Sequence, residues 1–206
     1  MNIELAIMNV LVLCMLTVPH EFAHAWMASK LGDDTPERDG RLTLYPPAHI
    51  DLLGTIILPA VTSLLGGGFL GWGRPVETNP SRLRFGMKGL ALVALAGPAS
   101  NVLLTVLLAG VSVFTGTLFA PLSEFAARAA LLSMYLAIFN MIPVPPLDGS
   151  KLLLAARVPP VVYNELARFG FLFLLVAMSL SNLGLYMHLW SVAGAERIFQ
   201  LLSIAS

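Results

Sequence analysis

The chain has 206 residues, of which 57% are hydrophobic and only 12% charged, and its 12 basic side chains are balanced by 12 acidic ones. A soluble domain carries about a quarter charged residues, so half that share excludes an ordinary soluble globule and indicates a polytopic membrane protein. Zero net charge, with no basic patch interleaved with aromatics, argues against nucleic acid as a partner, and a single cysteine, Cys14, excludes an intramolecular disulfide.

The first apolar run predicts a helix over residues 3–29, about 40 Å long and sufficient to cross a bilayer. It lacks the basic start of a secretory signal and exceeds the length of one, so it reads as part of the mature protein. Within it lies His20-Glu21-Phe22-Ala23-His24. Residues four apart share a helix face, so His20 and His24 can present two imidazoles to one metal ion. Glu21 is turned about 100° from His20, within reach of a water on that metal. Ionisable groups at membrane depth are costly and rarely sit there without a function, which weighs against two merely structural histidines. Pro19 leaves the Met15 carbonyl without its helical donor and predicts a kink just before His20. An ordinary membrane proline and an opening for water explain it equally.

Residues 30–49 form a polar loop with a short alternating segment at 41–45, which predicts a β-strand. A second apolar run, 52–70, is interrupted by Pro59 and by Gly66-Gly67-Gly68, and residues 74–79 predict a second extended segment. The next helix is predicted over 88–118 and carries Gly97-Pro98-Ala99-Ser100-Asn101, whose small residues let another helix approach closely. A helix over about 124–141 ends in Asn140-Met141-Ile142-Pro143-Val144-Pro145-Pro146-Leu147-Asp148-Gly149. The three prolines stop it and place Asp148 just beyond its end. Apolar runs at 161–181 and 185–203 complete the chain. The predicted fold is all-α and polytopic, with five or six transmembrane helices and short β-strands in the cytoplasmic loops. It forms one domain over 1–206, with a catalytic core at about 3–155 and accessory helices at about 161–203.

Basic residues cluster at Lys30, Arg38 and Arg41, at Arg74, Arg82, Arg84 and Lys88, and at Lys151 with Arg157. The positive-inside rule puts all three clusters in the cytoplasm and the N-terminus outside. That assignment requires 52–70 to enter and leave by the same face as a re-entrant segment, which buried irregular backbone permits. The alternative is that 52–70 spans and one basic loop lies outside. In both cases His20, His24 and Asp148 fall at one depth, near the cytoplasmic face.

A catalytic zinc site takes three protein ligands and keeps one position open. The downstream candidates are His49, Asp51, Glu77, Glu124, Asp148, Glu165, His188 and Glu196. Glu124 with Arg128, Glu165 with Arg168, and Glu196 beside Arg197 read as paired or solvated charges. Asp148 stands at the expected depth, although Asp-Gly is also an ordinary turn signal, and position alone leaves both readings open.

HEFAH in the first membrane helix, GPASN in a later one, and Asn140-x-x-Pro143-x-x-x-x-Asp148-Gly149 together resemble the site-2 protease family of intramembrane zinc metalloproteases. The resemblance extends over about 10–155 and includes the segment from Gly40 to Thr55. It implies one Zn2+ per chain held by His20, His24 and Asp148, with Glu21 as general base and Asn140 holding the substrate carbonyl or the developing oxyanion. Helix packing explains Asn101 as well as a carried-over role does. The implied partners are the lipid bilayer and a transmembrane protein or peptide cut within its span, in a prokaryotic cell membrane. The form is compact, without the PDZ insertion or regulatory domain of longer members. Two rivals stand beside it. A non-proteolytic metal-binding protein or transporter gives Glu21 no task, and a prenyl-protein-processing zincin needs a helical glutamate ligand that no downstream position supplies.

Overall fold

The structure, a computed structural model, describes residues 3–64 and 71–204. The regular elements are α1 (Ile3–Lys30), α2 (Thr35–Arg38), a 3-10 turn (Pro46–Ala48), a π-helical stretch (Leu52–Ile57), α3 (Leu58–Leu64), α4 (Met87–Thr115), α5 (Ala120–Asn140), α6 (Gly149–Ala155), α7 (Pro160–Leu180) and α8 (Leu183–Ile204). Helix α1 runs through Pro19 without a break. Among the described residues, four segments are long and apolar enough to cross a membrane: Ala6–Lys30, Met87–Thr115, Ala120–Asn140 and Pro160–Met178. Helix α8 matches them in length but carries His188, Glu196 and Arg197, so four of the predicted five or six spans meet both criteria.

Helices α1, α4 and α5 form the centre. Val12, Leu13 and Leu16 of α1 pack with Ala129 and Leu136 of α5, and Leu104 and Leu108 of α4 close the same cluster. A stripe of small or polar residues, Ala94, Gly97, Asn101, Thr105, Ala109 and Ser112, spaced three or four apart, runs along the buried face of α4. That spacing keeps them on one side of the helix, and their size lets backbones approach where lipid provides no hydrophobic drive for association. Ser133 Oγ of α5 donates to the Asn101 carbonyl at 2.7 Å, and Thr105 Oγ1 donates to the same oxygen at 2.9 Å. Large apolar residues such as Leu103, Leu107, Phe114, Leu172 and Phe173 point outward, as a lipid-facing surface requires.

The predicted strands at 41–45 and 74–79 do not form, and no β-strand occurs among the described residues. The physical reason is local. Arg41 reaches across with its guanidinium and donates to the carbonyls of Arg74 and Pro75, so a side chain takes the place of a ladder. Pro75 has no N–H to offer in return. The apolar run divides into the π-helical stretch, capped by Asp51 Oδ1 accepting from the Gly54 N–H at 2.6 Å, and α3. Gly66-Gly67-Gly68 lies outside the described residues. Asn9 Nδ2 donates to Ser63 Oγ at 2.8 Å, and the Arg74 N–H donates to the His49 carbonyl at 2.8 Å. The segment therefore reaches the depth of Asn9 along α1, while residues just before and after it meet each other. Helix α6 was not anticipated; it begins directly after Asp148 and packs against α4.

Candidate active site

Helix geometry places His20 and His24 one turn apart on the buried face of α1, and the proline-rich turn after α5 delivers Asp148 to the same point. His20 Nε2 lies 3.1 Å from Asp148 Oδ2, His24 Nε2 lies 3.0 Å from the same oxygen, and the two imidazole nitrogens are 3.1 Å apart. All three residues are buried, and they are the group among the described residues whose donor atoms converge as metal ligands would. His49, the other fully buried histidine, stands apart: its Nε2–H donates to the Thr43 carbonyl at 2.7 Å, and burial pushes its pKa below the ordinary value. Asp51 serves as a helix cap.

The donor set fits a metal on chemical grounds. His24 Nδ1 is 2.7 Å from the Val93 carbonyl. A carbonyl only accepts, so Nδ1 carries a proton, and as a metal ligand the ring would turn a lone pair from Nε2 toward the same point as the carboxylate oxygen. Acceptors facing one another at 3 Å repel unless a cation lies among them. Their separations are close to the edge of about 3.3 Å expected for a tetrahedron drawn with ligand bonds of about 2.0–2.1 Å.

Three further features shape this point. Lys151 Nζ lies 3.0 Å from Asp148 Oδ1, the oxygen that the histidines do not use. Gly97 of α4 lies against the imidazoles, and a Cβ there would come to 2.6 Å from His20 Nε2 and closer still to His24 Nε2. Gly73 passes Glu21 so closely that a Cβ would lie 2.9 Å from Glu21 Oε1. Glu21 itself is buried, and its Oε2 has no hydrogen-bond partner among the described residues. Burial lowers the Arg41 pKa from its ordinary value, and the Glu21 carboxylate acts in the opposite direction, which couples the loop to the site.

These groups open onto a cavity of about 420 Å³ that runs along α1 from His24 to Leu13 and is walled by Trp72 and Gly73, by Asn101 and Asn140, and by Phe171 of α7. Trp72 and Phe171 meet edge to face at 5.5 Å across one side. Asn140 lines the cavity, as expected for a residue near substrate, but its Nδ2 donates to the Leu136 carbonyl at 3.0 Å. Lys151, Gly97, Gly73 and Arg41 were not singled out as site residues from the sequence. The one signal was the three-residue offset of Lys151 from Asp148, which puts both on one face of a helical turn.

The description "Peptidase family M50" matches residues 115–178. Over 197 residues the chain is 36% identical to "Putative zinc metalloprotease YwhC" of Bacillus subtilis, covering 89% of this chain and 85% of that protein. It is 33% identical over 164 residues to "Putative zinc metalloprotease Rip2" of Mycolicibacterium smegmatis, covering 77% of this chain and 61% of that one. For the Rip2 protein of Mycobacterium tuberculosis H37Rv the identity is 32% over 161 residues, and the match again spans 61% of the relative. No solved structure matches the chain. The chain belongs to peptidase family M50, the site-2 protease family.

Proposed function

We propose that this protein is an intramembrane zinc metalloprotease that hydrolyses a peptide bond in or near the transmembrane segment of a membrane-protein substrate. The observation that carries this is the meeting of His20 Nε2, His24 Nε2 and Asp148 Oδ2 within 3.1 Å, beside a buried Glu21, on an apolar cavity. His20, His24 and Asp148 hold one Zn2+. Zinc, when bound, supplies a Lewis acid and brings the pKa of a water at the site to about 7.

The protein's own groups do the rest. Glu21 accepts a proton as the water oxygen bonds to the substrate carbonyl carbon, then delivers it to the leaving nitrogen as the C–N bond breaks. The Val93 carbonyl fixes the His24 tautomer, and Lys151 orients Asp148. Asn140 faces the carbonyl of the scissile bond, its second N–H being free to donate. The substrate must unwind, because helical peptide groups are already hydrogen-bonded. The extended segment beside the cavity is the candidate for pairing with the substrate, although Trp72 and Arg74 have both backbone groups engaged and the Pro75 carbonyl accepts from Arg41. The backbone groups of Gly73 and Val76, both on the cavity wall, have no partner among the described residues, so they are available for strand addition.

Residues 3–155 form the catalytic core of a single metalloprotease domain, with α7 and α8 accessory and α8 counted as a fifth span. A re-entrant path is supported by the described part of this region, since Ser63 reaches the depth of Asn9 while Arg74 returns to His49. The site faces the cytoplasm of a prokaryotic cell. Zinc-loaded wild type should cleave members of a panel of single-span membrane proteins in proteoliposomes, and Glu21→Gln should bind zinc but not cleave. Equal cleavage by both would refute the assignment of Glu21, and no cleavage of any panel member by the zinc-loaded wild type would refute the protease.

A further inference from the structure

Asn101 of α4 is fully buried, at 0% exposure, and neither Nδ2 nor Oδ1 of its side chain has a hydrogen-bond partner among the described residues. A buried amide left in this condition has lost its water without gaining a bond in return, so it calls for an explanation. Helix packing does not supply one. The inter-helical bond at this position runs from Ser133 to the Asn101 backbone carbonyl, and any residue type provides that oxygen.

The side chain lines the catalytic cavity. It lies one turn along α4 from Gly97, which touches both imidazoles, on a stretch of wall shared with Leu13 and Leu136. Those apolar neighbours offer nothing to an amide. By contrast, Asn140 already spends one of its two amide hydrogens on its own helix.

We infer that Asn101 is a substrate-binding residue that clamps one backbone peptide group of the unwound substrate near the scissile bond, Nδ2 donating to its C=O and Oδ1 accepting from its N–H. A substrate segment pulled out of helical form at membrane depth exposes one donor and one acceptor per residue, with no water to satisfy them. A side-chain amide is the neutral group that offers one of each in the same plane, and it adds no charge to the apolar wall. Both amide atoms of Asn101 being free is what a peptide ligand requires and what an oxyanion ligand, needing only a donor, does not. This inference rests on the proteolytic reading above.

The test uses the full-length protein in proteoliposomes and the best-cleaved member of the single-span panel, made also with single backbone ester or N-methyl replacements at the bonds flanking the cleavage point. Asn101→Leu, which keeps the branched shape and removes both polar atoms, should retain one zinc per chain and lose about 10- to 100-fold in kcat/KM. In wild type one flanking replacement should cost tenfold or more, and in Asn101→Leu the same replacement should cost nothing further. If Asn101→Leu does not fold, Asn101→Ser takes its place. Wild-type activity in the variant overturns the inference, as does loss of zinc from it or equal sensitivity of both proteins to every backbone replacement. Failure of the proteolytic reading looks different, because the zinc-loaded wild type then cuts nothing.

Discussion

Lys151 Nζ stands 3.0 Å from Asp148 Oδ1, while Asp148 Oδ2 faces His20 and His24. The two oxygens of one carboxylate are thereby divided between a lysine and the proposed metal position. Removing the ammonium frees the carboxylate to rotate. Lys151→Met is expected to weaken zinc binding about 10- to 100-fold, measured by competition with a chelator, and Lys151→Arg to recover most of the loss. Unchanged affinity in Lys151→Met would mean that the α6 turn alone holds Asp148.

Gly97 gives a steric counterpart. A methyl group there would come to 2.6 Å from His20 Nε2, so Gly97→Ala must displace an imidazole or move α4. It should lower zinc affinity at least about tenfold, on the scale of a disturbed ligand shell. Gly110→Ala on the same helix meets nothing within 4 Å and should leave zinc content unchanged.

The loops between α1 and α4 rely on a buried carboxylate. Asp33 Oδ1 accepts from the Thr35 N–H and hydroxyl at 3.1 and 2.6 Å, and Oδ2 accepts from the Asn79 N–H at 2.6 Å. Asp33→Ala leaves those donors unpaired and should cost about 1–3 kcal/mol, more than a surface change. It would be read as a lower unfolding midpoint and faster proteolysis between residues 71 and 86, with zinc retained.

His49 predicts a pH effect whose sign follows from its depressed pKa. Burial disfavours the charged ring, and its Nδ1 has no partner among the described residues. The folded state therefore binds the proton less readily than the unfolded chain, whose histidines titrate near about 6.5. Stability from this residue is present above that value and is lost as pH falls through it toward the lower folded pKa. Unfolding midpoints between pH 7.5 and 5 should fall for wild type, and the fall should be smaller for His49→Gln.

Much of this was legible in the sequence because two periodicities carried it. The i, i+4 histidines of α1 and the proline stop before Asp148 are local signals, and each survives into the structure unchanged. Tertiary substitutions were not legible. Alternation at 41–45 resembles a strand, but the guanidinium of Arg41 intercepts the carbonyls that a partner strand would have used. The small residues of GPASN signalled a close approach, and the surface that approaches Gly97 proved to be the imidazole pair. Nothing along the chain distinguishes Gly73 from other loop glycines, because its constraint is the side chain of Glu21, folded against it from α1.

The central claim is that His20, His24 and Asp148 together make one metal site. Zinc counted by atomic emission on purified, chelator-washed and reconstituted protein tests it without reference to any substrate. The expected result is one zinc per chain in wild type and in Glu21→Gln, and loss of most of it in His20→Ala, His24→Ala and Asp148→Ala alike. Full zinc occupancy in Asp148→Ala would contradict it.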